Sequence, residues 1–315
     1  MAATKRAGYK LATYKTSEGP RAGVIVGEEV FDAAKFTGKA AYATIHGILA
    51  DWKAAEGALK KAAAGAGKSR AKRQSLAKTK LLAPVPFPPT IFCAGANYAD
   101  HAAAMAKKQG HPPPADPHEQ GLKPWFFIKA GRTITDPGAA IKASHYAKEL
   151  DWEIELAAVI GRPAKDVTKE KALSYVAGYM VSNDFSARDR GRRPGVEATS
   201  FFKMDWTKHK SFDGSCPIGP WIVPASDIAD PQNLKLKLWV NGTLKQDSNT
   251  SRMLFTLAEQ IEQLSINMTL HPGDLILTGT PSGVGIGQDP PAFLATDDVV
   301  RIEIERLGAI EHAVA

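Results

Sequence analysis

Two cysteines in 315 residues, Cys93 and Cys216, are too few and too far apart for a disulfide framework, and no CxxC pair offers a zinc or redox motif. No apolar run approaches the twenty or so residues needed to cross a bilayer. Met1–Arg6 leads into no apolar segment of the secretory type. These absences favour a reducing compartment, so the expectation is a cytoplasmic protein with no membrane partner. Acid is missing from one stretch: between Leu59 and Lys80 lie Lys60, Lys61, Lys68, Arg70, Lys72, Arg73, Lys78 and Lys80, with no Asp or Glu. The net charge of +7 falls to −1 once these eight are set aside. The stretch also lacks aromatics, so it reads as a solvated helix end and linker rather than a nucleic-acid surface.

What is present is ordinary for a globular protein, with 44% hydrophobic and 23% charged residues. Short strands are expected over Tyr9–Tyr14, Ala22–Val26 and Val30–Asp32, then a helical stretch through Ile45, Ile48, Leu49, Trp52 and Leu59. The proline-punctuated Leu81–Pro89 stiffens the chain as a domain junction would. The division expected is 1–80, a small N-terminal domain and basic linker, and 81–315, a larger second domain. Strands dominate the second part. Asn241-Gly242 marks a hairpin, and a helix is expected from about Ser251, capped by Asn249, Thr250 or Ser251. Gln109–Lys123, rich in Pro, Gly and His, has the length of a functional loop or lid. Few βαβ units appear, so the fold expected is α+β, mainly β, with a mixed or antiparallel core.

The chemistry centres on Leu150-Asp151-Trp152-Glu153-Ile154-Glu155-Leu156. Strand alternation sends Trp152, Ile154 and Leu156 to one face and Glu153 and Glu155 to the other. A wet edge strand explains this pair as readily as a site does. Asp184, closing the apolar run Val176–Asp184, makes a third hard oxygen donor. That set suits Mg²⁺, Mn²⁺ or Ca²⁺ and argues against zinc. His101, where a strand gives way to a helix, is a candidate proton acceptor. Lys129, Arg188 and Lys210 are candidate cations for a carboxylate or an oxyanion, and Thr280 a candidate hydroxyl donor. The glycine-rich 279–287 lacks the Lys-Ser/Thr of a P-loop and does not match GxGxxG.

In order along the chain, Gly95-Ala96-Asn97-Tyr98-Ala99-Asp100-His101, Phe127-Ile128-Lys129, Asp151–Leu156, Asn183–Asp189, Lys210–Asp213 and Pro272–Gly285 resemble the fumarylacetoacetate hydrolase family. The resemblance implies a mixed β-sandwich roll with a small N-terminal α/β domain, usually a homodimer binding Mg²⁺ or Mn²⁺. It implies Glu153, Glu155 and Asp184 as metal ligands, His101 as base on a lid helix, Lys210 at the oxyanion and Thr280 at the substrate. The activity it implies is divalent-metal-dependent C–C hydrolysis of an acylpyruvate or fumarylpyruvate-type 1,3-dioxo acid through a metal-held enolate. The alternative is a decarboxylase, isomerase or hydratase of a related 2-oxo dicarboxylic acid in aromatic catabolism. Two departures stand out. Many members carry HxxE, and here Ala104 replaces the glutamate that orients the histidine. Arg190-Gly191-Arg192 replaces a stretch that often holds Gln. Glu119, the only Glu between Val85 and Lys148, is the expected substitute partner for His101.

Overall fold

The structure is a computed structural model describing residues 8–142, 145–197 and 199–315. The segment Met1–Arg6, considered above as a possible leader, lies outside the described residues.

Ile154–Ile160 is buried along its whole length. It pairs antiparallel with Val176–Asn183 on one side and Leu275–Leu277 on the other. It is therefore a central strand, and the wet-edge reading of its carboxylates does not hold. Its alternation is visible in the packing. Ile154, Leu156, Ala158 and Ile160 enter one apolar cluster, and Ala157 and Val159 enter another on the opposite face. Glu153 and Glu155 continue the Ala157 and Val159 side at the strand's leading end.

The large sheet runs, by strand, through Arg73–Ser75, Glu29–Asp32, Gly19–Val26, Lys10–Thr16, Cys216–Pro224, Val176–Asn183, Ile154–Ile160, Leu275–Leu277, Ile91–Ala94 and Phe126–Lys129. Most pairs are antiparallel, but Leu275–Leu277 runs parallel to Ile91–Ala94. A second sheet of four strands contains Thr243–Asn249, Lys235–Val240, Val299–Ile304 and Gly308–Ala313. It packs with the helix Leu257–Asn267 on the first cluster, while the helices Ile45–Ala50 and Trp52–Ala64 cover the other face. The architecture is α+β and mainly sheet, and the described residues form no closed barrel.

The N-terminal strands join the large sheet through Leu11 opposite Ile222. One apolar cluster draws on Leu11, Val24 and Leu49 together with Ala157, Met180 and Ile222. The division near residue 80 stays a proposal about which segments fold alone. All eight basic residues of the acid-free stretch are exposed. Arg73 lies in a short edge strand and pairs with Glu29 at 3.2 Å.

The Asn241-Gly242 turn forms as expected, both residues taking positive φ between strands Lys235–Val240 and Thr243–Asn249. The helix expected from Ser251 starts later, at Leu257. Asn249 instead caps a single 3₁₀ turn, Thr250–Arg252. The reason is a capping box: Thr256 Oγ1 accepts from Glu259 N, and Glu259 accepts from Thr256 N.

Candidate active site

The end of the central strand meets the end of its neighbour, and that juxtaposition builds the site. Glu153 sits in a break between Leu150–Asp151 and Ile154–Ile160. Asn183 Oδ1 accepts from Glu153 N at 2.9 Å, and Glu153 O accepts from Asp184 N at 2.9 Å, locking the two segments together. Glu153, Glu155 and Asp184 are all buried, and one ligand atom from each lies within 4.8 Å of the others.

Three cations surround this group. Lys210 Nζ donates to Glu153 Oε2 at 2.8 Å and to Asp184 Oδ2 at 2.6 Å. Lys129 Nζ donates to Asp184 Oδ1 at 2.6 Å and to Ser215 O at 3.1 Å. Arg188 donates to Asp151 Oδ2 at 2.9 Å and to Glu153 Oε1 at 2.5 Å. Burial alone would push the Glu153 carboxyl up, but Lys210 and Arg188 outweigh it and hold it well below the usual carboxylate range. Glu155 is different. Among the described residues no cation pairs with it, and its recorded hydrogen bond is from Gly279 N at 2.7 Å. Burial, then the charges of Asp184 and Glu153, drive its carboxyl well above the usual range. A buried all-oxygen donor set with one uncompensated carboxylate fits a hard divalent cation.

A cavity of about 200 Å³ opens on the three carboxylates. His101, Arg188, His209, Lys210 and Thr280 line it, with Trp125, Phe127 and Trp206 as an aromatic wall. His101 is the third residue of the helix Ala99–Lys108. Asn97 positions that helix by donating to Phe255 O at 3.0 Å and Thr278 O at 2.8 Å. Burial lowers the His101 pKa, and among the described residues its buried Nδ1 has no hydrogen-bond partner. Among the described residues no carboxylate bonds that nitrogen to orient the ring.

The structure does not bring Glu119 to it. Glu119 is exposed in the loop 109–123, and that loop is held elsewhere. There His118 bonds Asp116 Oδ1 at 2.9 Å and Glu259 Oε1 at 3.1 Å. Lys129 is also placed differently from expectation. Its ammonium lies beneath Asp184, away from the cavity lining, because burial forces it onto the nearest carboxylate and carbonyls.

Three residues with roles here were missed by sequence reading. His209 lines the cavity and packs its ring, tilted by 31°, against Trp206 with centroids 5.6 Å apart. Burial, then Lys210 and Arg188, lower its pKa to about 3. Gly191 makes room for it, since a Cβ there would lie 2.7 Å from that of His209. Gln246 donates to Thr280 Oγ1 at 2.9 Å while its Oε1 accepts from Ile154 N at 3.1 Å, tying the threonine to the central strand. Asp151 accepts from Gly285 N at 2.6 Å and Ile286 N at 3.1 Å. The amides of the glycine-rich loop are thereby used internally, which explains physically why it is no phosphate cradle. His209, a lone histidine in the helix Trp206–Lys210, gave no sequence signal of its own.

Residues 90–315 match the family described as fumarylacetoacetate (FAA) hydrolase C-terminal. The chain is 41% identical over 241 residues to "Oxaloacetate tautomerase fahd2, mitochondrial" of Xenopus laevis, covering 76% of this chain and 70% of that protein. Among solved structures it resembles a fumarylacetoacetate hydrolase from Exiguobacterium antarcticum, with TM-score 0.76 and 30% identity over 97% of this chain and 99% of that one. It also resembles maleylpyruvate hydrolase from Sphingobium sp. SYK-6 in complex with manganese(II) ion and pyruvate, with TM-score 0.72 and 30% identity over 97% and 98%. On the extent of these matches and the shared fold, the chain belongs to the fumarylacetoacetate hydrolase family.

Proposed function

We propose that Glu153, Glu155 and Asp184 hold Mg²⁺ or Mn²⁺ and that the chain interconverts keto and enol forms of a 2-oxo acid. A divalent cation supplies Lewis acidity toward the oxygens of such an acid. The chain's own residues do the rest. The imidazole of His101 takes a proton from the carbon beside the carbonyl and delivers it to the carbonyl oxygen, giving the enol, and the reverse transfer restores the keto form. Lys210 and Arg188 favour the negative charge that develops in between. Gln246 donates to the Thr280 oxygen, which leaves the threonine proton free to point at a substrate carboxylate. Trp125, Phe127 and Trp206 restrict water.

The observation that carries this reading is the solitary His101. Proton transfer at carbon needs one base, whereas hydrolysis needs a base oriented to activate water, and among the described residues Nδ1 has no orienting partner. Similarity to an oxaloacetate tautomerase supports it. C–C hydrolysis of an acylpyruvate is the second reading, favoured by the likeness to maleylpyruvate hydrolase along nearly the whole chain. The test follows the ultraviolet absorbance of enol oxaloacetate with Mg²⁺ or Mn²⁺ and with EDTA, beside cleavage of an acylpyruvate. Cation-dependent loss of enol faster than acylpyruvate cleavage is expected. The reverse order favours hydrolysis.

We also propose that the chain works as a homodimer in a cytoplasmic setting. Among the described residues no helix is long and apolar enough to cross a membrane. Exposed Phe201, Phe202 and Ile128 support a partner face, and sedimentation of the purified chain at twice the monomer mass is the expected result.

A further inference from the structure

A second cavity adjoins the first. It measures about 690 Å³ and shares Gly95, Ala96 and Trp125 with the catalytic cavity. Trp125 stands at the junction. Its indole lies against the backbone of Gly95, where a Cβ would fall 2.0 Å from the ring. Ala102 and Ala103 of the His101 helix form one wall, Pro113 and Pro114 of the long loop the roof, and Leu254 and Phe255 the opposite wall. One helix therefore presents His101 to the carboxylates and small apolar side chains to the second chamber.

We infer that this chamber receives an apolar acyl or aryl arm of the substrate, whose 2-oxo acid head sits at Glu153, Glu155 and Asp184. The inference rests on the function proposed above and names the substrate class for that site. The arm is apolar because the lining is. The charged side chains among the lining residues are Asp116 and Lys123, both exposed and opposite in sign, so neither a second carboxylate nor an ammonium meets a buried counter-charge there. The size matches the small-molecule range, whereas the catalytic cavity alone is too small for an elongated molecule. His118 fastens the roof, bonding Glu259 and packing its ring 4.8 Å from that of Phe255.

The test is a series of 2-oxo acids with arms from methyl to heptyl, with phenyl and with oxaloacetate as the member that carries a carboxylate arm and no apolar one, on Mn²⁺-loaded protein. KM is expected to fall about fourfold per added methylene until the chamber fills. Ala103→Phe fills the chamber and is expected to raise KM of the heptyl member about tenfold while leaving oxaloacetate within about twofold. Leu254→Trp fills it from the opposite wall and is expected to act alike, so misfolding of one variant does not spare the inference. A flat KM series, or equal effects of both variants on short and long members, overturns it. Absence of turnover for every member, oxaloacetate included, counts against the proposed function instead. N-alkyl oxamates of rising length, titrated calorimetrically, then decide the chamber by the same slope in Kd or its absence.

Discussion

Glu155→Gln separates a ligand from a structural group. Glu155 is buried with no cation partner among the described residues, and its neighbours Glu153 and Asp184 carry like charge. Its hydrogen bond from Gly279 N survives in glutamine, whose Oε1 still accepts. Replacing the carboxylate therefore removes a repulsion and keeps a bond. Without added cation the variant is expected to melt at or above the wild-type temperature. With cation at 100 times the wild-type Kd, the wild type gains about 2.7 kcal/mol. For a chain of this length that is about 4 °C in Tm. Loss of an anionic ligand weakens binding by at least the roughly 100-fold that outer-shell losses reach. The variant's gain at the same concentration then drops to about 0.4 kcal/mol, under about 1 °C. Differential scanning calorimetry with EDTA and with Mn²⁺ reads both numbers. A cation-free Tm lowered by more than about 3 °C, together with an undiminished cation shift, refutes the reasoning.

Other perturbations follow from the same geometry. Lys129→Met strands the fully buried Asp184 beside one remaining ammonium. The expected loss is about 3–5 kcal/mol in urea unfolding, and under about 1 kcal/mol contradicts a buried-pair role. Ala104→Glu places a carboxylate one helical turn from His101, on an exposed position of the same helix. It is expected to raise kcat for acylpyruvate cleavage at least tenfold, within the usual reach of general acid–base groups, and an unchanged kcat says that orientation of His101 is not what limits hydrolysis. The His118 pKa is raised, by its bond to Asp116 first and to Glu259 next. The folded value thus exceeds the unfolded one. Its contribution to holding the loop 109–123 is fully present below about pH 6.5 and fades as pH rises through the raised value. Hydrogen exchange in the loop is expected to quicken above that range, and His118→Ala is expected to flatten the dependence.

Local features were legible because short-range physics decides them. The alternation around Glu153 and Glu155 and the Asn241-Gly242 turn needed only neighbouring residues. The start of the helix Leu257–Asn267 was placed too early, at about Ser251, although Thr256 and Glu259 spell the capping box that fixes it. What sequence alone does not show is long-range pairing. Leu11 meets Ile222 across more than two hundred positions, and that contact joins the first strands to the sheet that holds the site. Burial was illegible for the same reason. Lys129 ends a strand like a solvated cation, and only the approach of Asp184 and Ser215 makes it a counter-charge. His209 gave no pattern, since its place depends on the space left by Gly191.

The most direct measurement is keto–enol exchange of oxaloacetate by the wild-type chain, first treated with EDTA and then titrated with Mn²⁺, beside the Asp184→Asn variant. The account predicts exchange that vanishes with EDTA, returns saturably with Mn²⁺, and does not return at the same Mn²⁺ concentration in Asp184→Asn. Exchange at full rate in EDTA, or an Asp184→Asn variant restored as readily as the wild type, would contradict it.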